Sequence, residues 1–280
     1  MKLVVTNAEY MIPIDGIPEV EEKTELHFTR FGMNQYPGGE PRFVDNDSYK
    51  IFCHVNEPTT SRWVEPVENI IKHHKAYDRI ITSNIDVLAK CANSTFMPYG
   101  TTWLNKSKHH LDAFGSYTEN LSSLEKNFSL SMVCGNLSGK SGYDLRREIF
   151  SHKDRIKIPT RFYSSTRYPI QGEELLPNDD KIHLFNSMYS VVVESTQETH
   201  YFTEKLIDCL ITKTIPVYWG CPNISDFFNT SYWINIEDVV VFDYSVDHYV
   251  KHKDAIDKNC EIAKKYCRNI FERILMECKL

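Results

Sequence analysis

The sequence predicts an α/β protein built in two halves, each a parallel sheet flanked by helices. Three observations predict it. Short strand-like apolar runs alternate with helical patterns along the chain, as strand–helix–strand units require. A polar, weakly periodic stretch at 105–127 separates two such series. And 280 residues suffice for about two domains of ordinary size. Residues 1–125 are therefore expected to form one Rossmann-like unit and residues 126–280 the other.

In the first half, strands are expected at Lys2–Thr6, Leu26–Arg30, Tyr49–Val55 and Arg79–Thr82. Helices are expected over Pro66–His74 and Asn84–Ala92, the second capped by Ser83 or Asn84. In the second half, the apolar runs Phe128–Cys134, Tyr189–Val193 and Ile215–Tyr218 read as strands. Helical patterns cover Tyr143–His152, the region around Asp180–Met188, and Thr203–Thr212. A long helix is expected over Lys253–Cys278, where Ile262, Tyr266, Ile270 and Ile274 recur at i+4 with Phe271 and Leu275 beside them. Such a stripe is expected to pack back on the protein body; its alternative use is peripheral contact with a membrane surface or a partner helix. In sheets of this kind ligands bind beyond the carboxyl ends of the strands, so the loops after Val55, Cys134 and Val193 carry the search for function.

Composition narrows the classes. The formal net charge of −6 argues against a nucleic-acid surface, which needs a concentrated basic excess. The basic clusters Lys72–Lys75 and Lys106–His110 are short and read as solvated faces, with an anionic ligand as the minority reading. The first residues lack the apolar core of a signal peptide, and no run approaches the roughly 20 apolar residues that span a bilayer. A soluble, cytoplasmic protein is expected. Eight cysteines are scattered without a C-x-x-C pair, so free buried thiols are expected rather than a zinc knuckle. Glycosylation sequons such as those at Asn93, Asn120, Asn127 and Asn136 carry little weight without a secretory signal.

The chemistry concentrates around one strand–helix–strand run. Val191–Val193 delivers Glu194 at the carboxyl end of a buried strand. Tyr201 then precedes Thr203, Glu204 and Lys205, the expected first turn of a helix. A helix N-terminus attracts anions through its free N–H groups and its dipole, and a lysine there suits a phosphate. A carboxylate, which only accepts hydrogen bonds, suits a ribose diol. A capped helix start with an internal salt bridge would use the same residues for the fold alone.

The run Tyr189-Ser-Val-Val-Val-Glu194-Ser-Thr-Gln, then Tyr201-Phe-Thr-Glu-Lys205, then Thr214-Ile-Pro-Val-Tyr-Trp-Gly220-Cys-Pro-Asn-Ile224 closely resembles the donor-binding signature of α1,3/4-fucosyltransferases, glycosyltransferase family 10. Resemblance is firm over about Lys181–Val240 and looser back to about Phe128. It implies a GT-B fold of two Rossmann-like domains facing a cleft, with the donor on the second. It implies inverting transfer of fucose from GDP-fucose to a glycan hydroxyl, without a catalytic metal or cofactor. Glu204 would contact the ribose, Lys205 the diphosphate, and Tyr201 would line the same pocket. An arginine on the first helix of the donor domain, after a strand and an asparagine, would neutralise the diphosphate; Asn136 follows the strand, Arg147 fits best, and Arg146 is its rival. Where the family has F-E-N, this chain has Val193-Glu194-Ser195, a shorter side chain with a hydroxyl only. That departure bears on the sugar, leaving another nucleotide-sugar donor as an alternative. A non-catalytic glycan- or nucleotide-binding protein on a degenerate transferase fold is a second.

Inverting transfer needs a general base for the acceptor hydroxyl. Asn56-Glu57-Pro58 follows the strand Tyr49–Val55 and resembles a family loop whose glutamate is the candidate base, so Glu57 is expected in that role. His54, a strand residue, is its rival. The D-x-D look-alike Asp45–Asp47 precedes a strand instead of following one and reads as a turn, as does the wider pair Asp243 and Asp247.

Overall fold

The computed structural model describes residues 4–6, 23–28, 47–54, 66–104, 121, 123–268 and 270–280. Its first sheet has five parallel strands: β1 (Val4–Thr6), β2 (Thr24–Phe28), β3 (Tyr49–His54), β4 (Arg79–Thr82) and β5 (Ser94–Phe96), ordered β1-β2-β3-β4-β5. β3 shows why this sheet is parallel and central: Ile51 through His54 are all buried, so both faces need apolar cover. Phe52 turns to α1 (Val67–His73) and α2 (Ile85–Lys90), packing with Ile70, Ile80 and Val87. Ile51 and Cys53 turn to the opposite face. Asn84 caps α2 as expected, its side chain accepting from the N–H groups of Asp86 and Val87 at 3.0 and 3.1 Å.

The second sheet contains β6 (Asn127–Cys134), β7 (Thr160–Ser164), β8 (Ser187–Val193), β9 (Ile215–Trp219) and β10 (Ile234–Asn235), ordered β10-β9-β8-β6-β7 and parallel throughout. One face packs Leu130, Met132 and Val191 with Ile149 and Phe150 of α3 (Ser141–Ser151). The other packs Tyr163 and Val192 against α4 (Glu204–Ile211), whose residues Leu206 to Ile211 are all buried. Two further helices follow, α5 (Val246–Lys251) and α6 (Lys253–Lys264), and Ala263 of α6 joins the α4 core. All eight cysteines are free and buried.

The expected α/β class with two parallel sheets is what the chain forms, and three expectations are corrected. The helix expected around Asp180–Met188 is absent. Pro177–Asp179 and Lys181–Leu184 are single 3₁₀ turns, with Asn178 and Asp179 at φ +54° and +55°. β8 instead starts at Ser187, whose hydroxyl accepts from Ser129 on β6 at 2.9 Å. β2 lies earlier than its apolar pattern suggests, because Glu25 and His27 are buried in it. Glu25 accepts from the Ser48 hydroxyl at 2.7 Å and lies 3.2 Å from the His27 ring nitrogen. The strands β5, β7 and β10 escaped notice, being short or broken by polar residues.

The third correction concerns the long helix over Lys253–Cys278. It breaks after α6 into a 3₁₀ turn at Lys265–Cys267 and an extended Arg268, and resumes as α7 (Ile270–Cys278). The i+4 stripe is thus two stripes with different partners. Ala263 and Cys267 pack on the second sheet's core. Ile270, Phe271, Ile274, Leu275 and Cys278 pack on Leu26, Ile51, Cys53 and Ile81 of the first. So α7, grouped with the second half by its place in the sequence, covers the first sheet. Its apolar face is occupied there, which removes the membrane-surface alternative for that stripe. Arg273 anchors it, donating to the carbonyls of Gly100 at 2.5 Å and Pro98 at 2.9 Å. Among the described residues no helix is long and apolar enough to cross a membrane.

Candidate active site

Within the second sheet, strand order reverses between β6 and β8. The chain goes from β6 outward to β7, then returns to the other side of β6. Such a switch point opens a crevice at the carboxyl edge, because the helices after the two strands leave on opposite faces. Here those helices are α3 and α4. Their junction is tight: the Gly142 N–H on α3 donates to the Ser195 carbonyl at 3.2 Å. A Cβ on Gly142 would sit 1.8 Å from the Glu194 carbonyl oxygen, so only glycine fits.

The start of α4 is a closed network. Glu194, fully buried, accepts from the Thr203 N–H at 2.8 Å and the Thr203 hydroxyl at 2.7 Å. Thr203 is the N-cap, its hydroxyl accepting from the Lys205 N–H at 3.3 Å and the Lys205 ammonium at 3.1 Å. That ammonium also lies 3.3 Å from Glu204 Oε1 and 3.6 Å from Glu194 Oε2. A second ammonium, from Lys181, reaches Glu204 Oε1 at 3.0 Å. The two carboxyl groups titrate oppositely. Burial pushes Glu194 up, with Lys205 and the Thr203 bonds only partly offsetting it. Burial also works to raise Glu204, but Lys181 and Lys205 outweigh it and hold that carboxyl well below its usual range. Glu204 is thus a poised anion, and Glu194 a brace.

Other motif residues serve as supports. Ser195 and Tyr201 share a hydroxyl–hydroxyl bond of 3.1 Å, each 2% exposed or less. His200, at φ +67°, donates its N–H to Asn223 Oδ1 at 2.9 Å, tying the Tyr201 turn to the Gly220–Asn223 loop. Gly220 is obligatory, since a Cβ there would lie 2.6 Å from both Glu194 Cγ and Tyr218 Oη. Of the residues expected at the donor, Glu194, Ser195, Tyr201 and Thr203 therefore spend their described polar contacts inside the protein. Glu204 and Lys205 are brought together, and Lys205, with its side chain 26% exposed, opens toward solvent.

Asn136 is exposed in the loop after β6, its backbone N–H donating to the Tyr168 carbonyl at 2.8 Å. The two arginines of α3 turn different ways. Arg147 is half-exposed and paired with Asp144 at 2.8 Å. Arg146 turns back toward the helix start, its Nε donating to the Gly142 carbonyl at 3.2 Å and its guanidinium 5.0 Å from the Tyr143 ring. Each keeps one buried guanidinium nitrogen without a partner among the described residues, Nη2 of Arg146 and Nε of Arg147. A charged donor in that state is the feature expected of an anion ligand, and both arginines carry it.

Glu57, Asp45 and the cluster Lys106–His110 lie outside the described residues. Burial lowers the pKa of His54 to about 4, and its Nδ1 lies 2.9 Å from the Thr82 hydroxyl, which itself accepts from the Asn84 N–H at 3.0 Å. Asp47 sits in a turn and Asp247 in the first turn of α5. The carboxyl edges of the two sheets meet here. His200 Nδ1 is 3.2 Å from the Ser83 carbonyl, and Phe96 packs against the rings of His200 and Phe227 at 4.9 and 6.1 Å.

Three residues at this edge escaped the sequence reading. Lys181 completes the Glu204 pair, and Trp103 lies under its ammonium at 4.4 Å. Asp208, fully buried on α4, accepts from Thr102 Oγ1 at 2.5 Å and the Trp103 N–H at 3.0 Å. Asp208 had a signal: a lone carboxylate inside the apolar run Leu206-Ile-Asp-Cys-Leu-Ile211 must find donors. Lys181 and Trp103 had none.

No family model matches the chain. Over 71 residues it is 39% identical to the α-(1,3)-fucosyltransferase FucT of Helicobacter pylori; this stretch is 24% of the chain and 15% of that protein. The match thus relates the chain to the α1,3-fucosyltransferases over a small part of the relative's length. Among solved structures, an α1,3-fucosyltransferase superposes with a TM-score of 0.44 at 19% identity, over 91% of this chain and 76% of that one. An α1,3-fucosyltransferase with GDP-fucose gives 0.38 at 21% identity, over 99% and 77%. TarM gives 0.47 at 13% identity, over 92% and 54%. These superpositions are loose.

Proposed function

We propose that the chain is an inverting glycosyltransferase that moves fucose from GDP-fucose to a hydroxyl of a glycan. One observation carries the reading: the motif shared with the fucosyltransferases coincides with the switch point of the second sheet, where Glu204 and Lys205 open α4 and the start of α3 meets the end of β8. Glu204 accepts from the ribose hydroxyls. Lys205 and the N-terminus of α4 take the diphosphate, and an arginine of α3, Arg147 or its rival Arg146, grips a phosphate oxygen. As the glycosidic bond breaks, the leaving GDP gains negative charge, and these preplaced cations stabilise it. The acceptor hydroxyl attacks the anomeric carbon from the opposite face and gives its proton to a base contributed by the first half, for which Glu57 is the candidate.

A different nucleotide-sugar on the same machinery is the second reading. It is favoured by Ser195, whose hydroxyl bonds Tyr201 in the interior. Calorimetric titration with GDP and UDP separates the two, since tighter UDP binding overturns GDP-fucose. The decisive assay is transfer from GDP-fucose to a glycan array. Lys205→Ala and Glu57→Gln should each lose about 100-fold or more in turnover. Alanine at whichever of Arg147 and Arg146 grips the diphosphate should weaken GDP about tenfold, while alanine at the other changes it less than about twofold. Unchanged turnover in both Lys205→Ala and Glu57→Gln sinks the assignment.

A further inference from the structure

We propose that Lys181 is a positioning residue of the nucleotide site, holding Glu204 oriented and charged for a ribose diol so that Lys205 is released to the diphosphate. The inference rests on the donor-binding roles proposed for Glu204 and Lys205. Its starting point is that one ammonium is oversubscribed. Lys205 lies within 3.6 Å of Thr203 Oγ1, Glu204 Oε1 and Glu194 Oε2. A diphosphate draws that ammonium outward. Glu204, its side chain 4% exposed, would then be a buried carboxylate with no cation unless another stood by. Lys181 stands by, 3.0 Å from Oε1.

The position of Lys181 is built, not incidental. Its ammonium sits 4.4 Å from the centroid of the Trp103 ring. The Trp103 backbone is itself pinned to Asp208 Oδ1 at 3.0 Å, and Thr102 donates to the same oxygen at 2.5 Å. Glu204 and Asp208 lie four residues apart on α4 and share its face, so one helix face holds both ends of the chain Asp208–Trp103–Lys181–Glu204. The charged groups facing Glu204 are Lys181 from the turn before β8, Lys205 and Asp208 from its own helix, and Glu194 from the end of β8. The Glu204 charge helps to raise the carboxyls of Asp208 and Glu194, and Lys181 is the cation that persists beside Glu204 once Lys205 has moved.

Calorimetric titration of wild type, Lys181→Met and Lys181→Arg with GDP, and separately with inorganic pyrophosphate, tests this from about pH 5 to about pH 8. Lys181→Met should bind GDP about tenfold more weakly at neutral pH yet bind pyrophosphate, which has no ribose, within about twofold of wild type. Its GDP affinity should fall further toward pH 5 as Glu204 takes up a proton, whereas wild type stays flat. Lys181→Arg should restore both affinity and profile. Wild-type GDP affinity and pH profile in Lys181→Met overturn the proposal, as does an equal loss of GDP and pyrophosphate. A wild-type protein that binds neither probe brings down the nucleotide reading, and the role of Lys181 with it.

Discussion

Among the described residues both sheets have five parallel strands, yet they are wound differently. In the second sheet the order reverses between β6 and β8, so α3 and α4 diverge onto opposite faces, the arrangement that favours a ligand site at the carboxyl edge. In the first sheet the strands follow chain order from β1 to β5. Right-handed crossovers in that order put the connecting helices on one face, as α1 and α2 are. Order reversal makes a ligand site; sequential order makes a bare face that something else must cover, and α7 covers it. The nucleotide site proposed above lies on the second sheet, in keeping with that topology, and the proposal leaves the carboxyl edge of the first sheet to the acceptor.

Three perturbations test this contrast, in order of expected effect. Gly142→Ala strikes the switch point itself, driving a Cβ to 1.8 Å from the Glu194 carbonyl. Backbone on both sides must shift, so a loss on the order of 4 kcal/mol or failure to fold is expected. A urea midpoint matching wild type would show that α3 and β8 do not meet as described. Ile274→Ala strikes the cover of the first sheet. Ile274 is fully buried against that sheet's core, and the expected loss is about 3 kcal/mol by denaturant unfolding. GDP affinity of the folded fraction should be unchanged, because the crevice lies on the other sheet; a matching loss of affinity would merge what the two windings separate.

The smallest effect concerns the tie between the halves. Burial, set against the nearby Lys181 and the Thr102 bond, raises the Asp208 carboxyl from 3.8 to about 7. A raised folded pKa means that the stability contributed by this group is complete below its unfolded value and is lost as pH rises through about 7. Asp208→Asn keeps an oxygen for Thr102 and Trp103 but does not titrate. Relative to wild type it should therefore gain on the order of 1 kcal/mol between about pH 4 and about pH 8. Equal stability differences at both pH values would mean that Asp208 stays ionised and that the tie is insensitive to charge.

Much of this was legible in the sequence, and what was not has physical causes. Apolar runs buried on both faces, as in β6, β8 and β9, announce themselves by composition alone. Thr203 was expected in the first turn of its helix and is the N-cap just before it. β2 was displaced because its buried Glu25 and His27 satisfy one another and look like surface. The break between α6 and α7 is invisible to periodicity: a stripe at i+4 continues across it while the partner changes from one sheet to the other. The site was half legible. Glu204 and Lys205 are neighbours in sequence, so a motif can carry them. Lys181 reaches Glu204, and Trp103 reaches Lys181, only through tertiary contacts.

The path of α7 also sets an order of events during synthesis. Leu26, Ile51 and Ile81 emerge from the ribosome early, but the residues that seal their face, Phe271 and Ile274, emerge only after the whole second sheet. Until then the first sheet carries an open apolar face, a place for chaperones to bind and for aggregation to start. The second sheet has its own helices on both faces and can consolidate before α7 arrives. The half that is translated first is therefore the half that is finished last, and variants that slow or weaken the docking of α7 should lower yield before they lower activity.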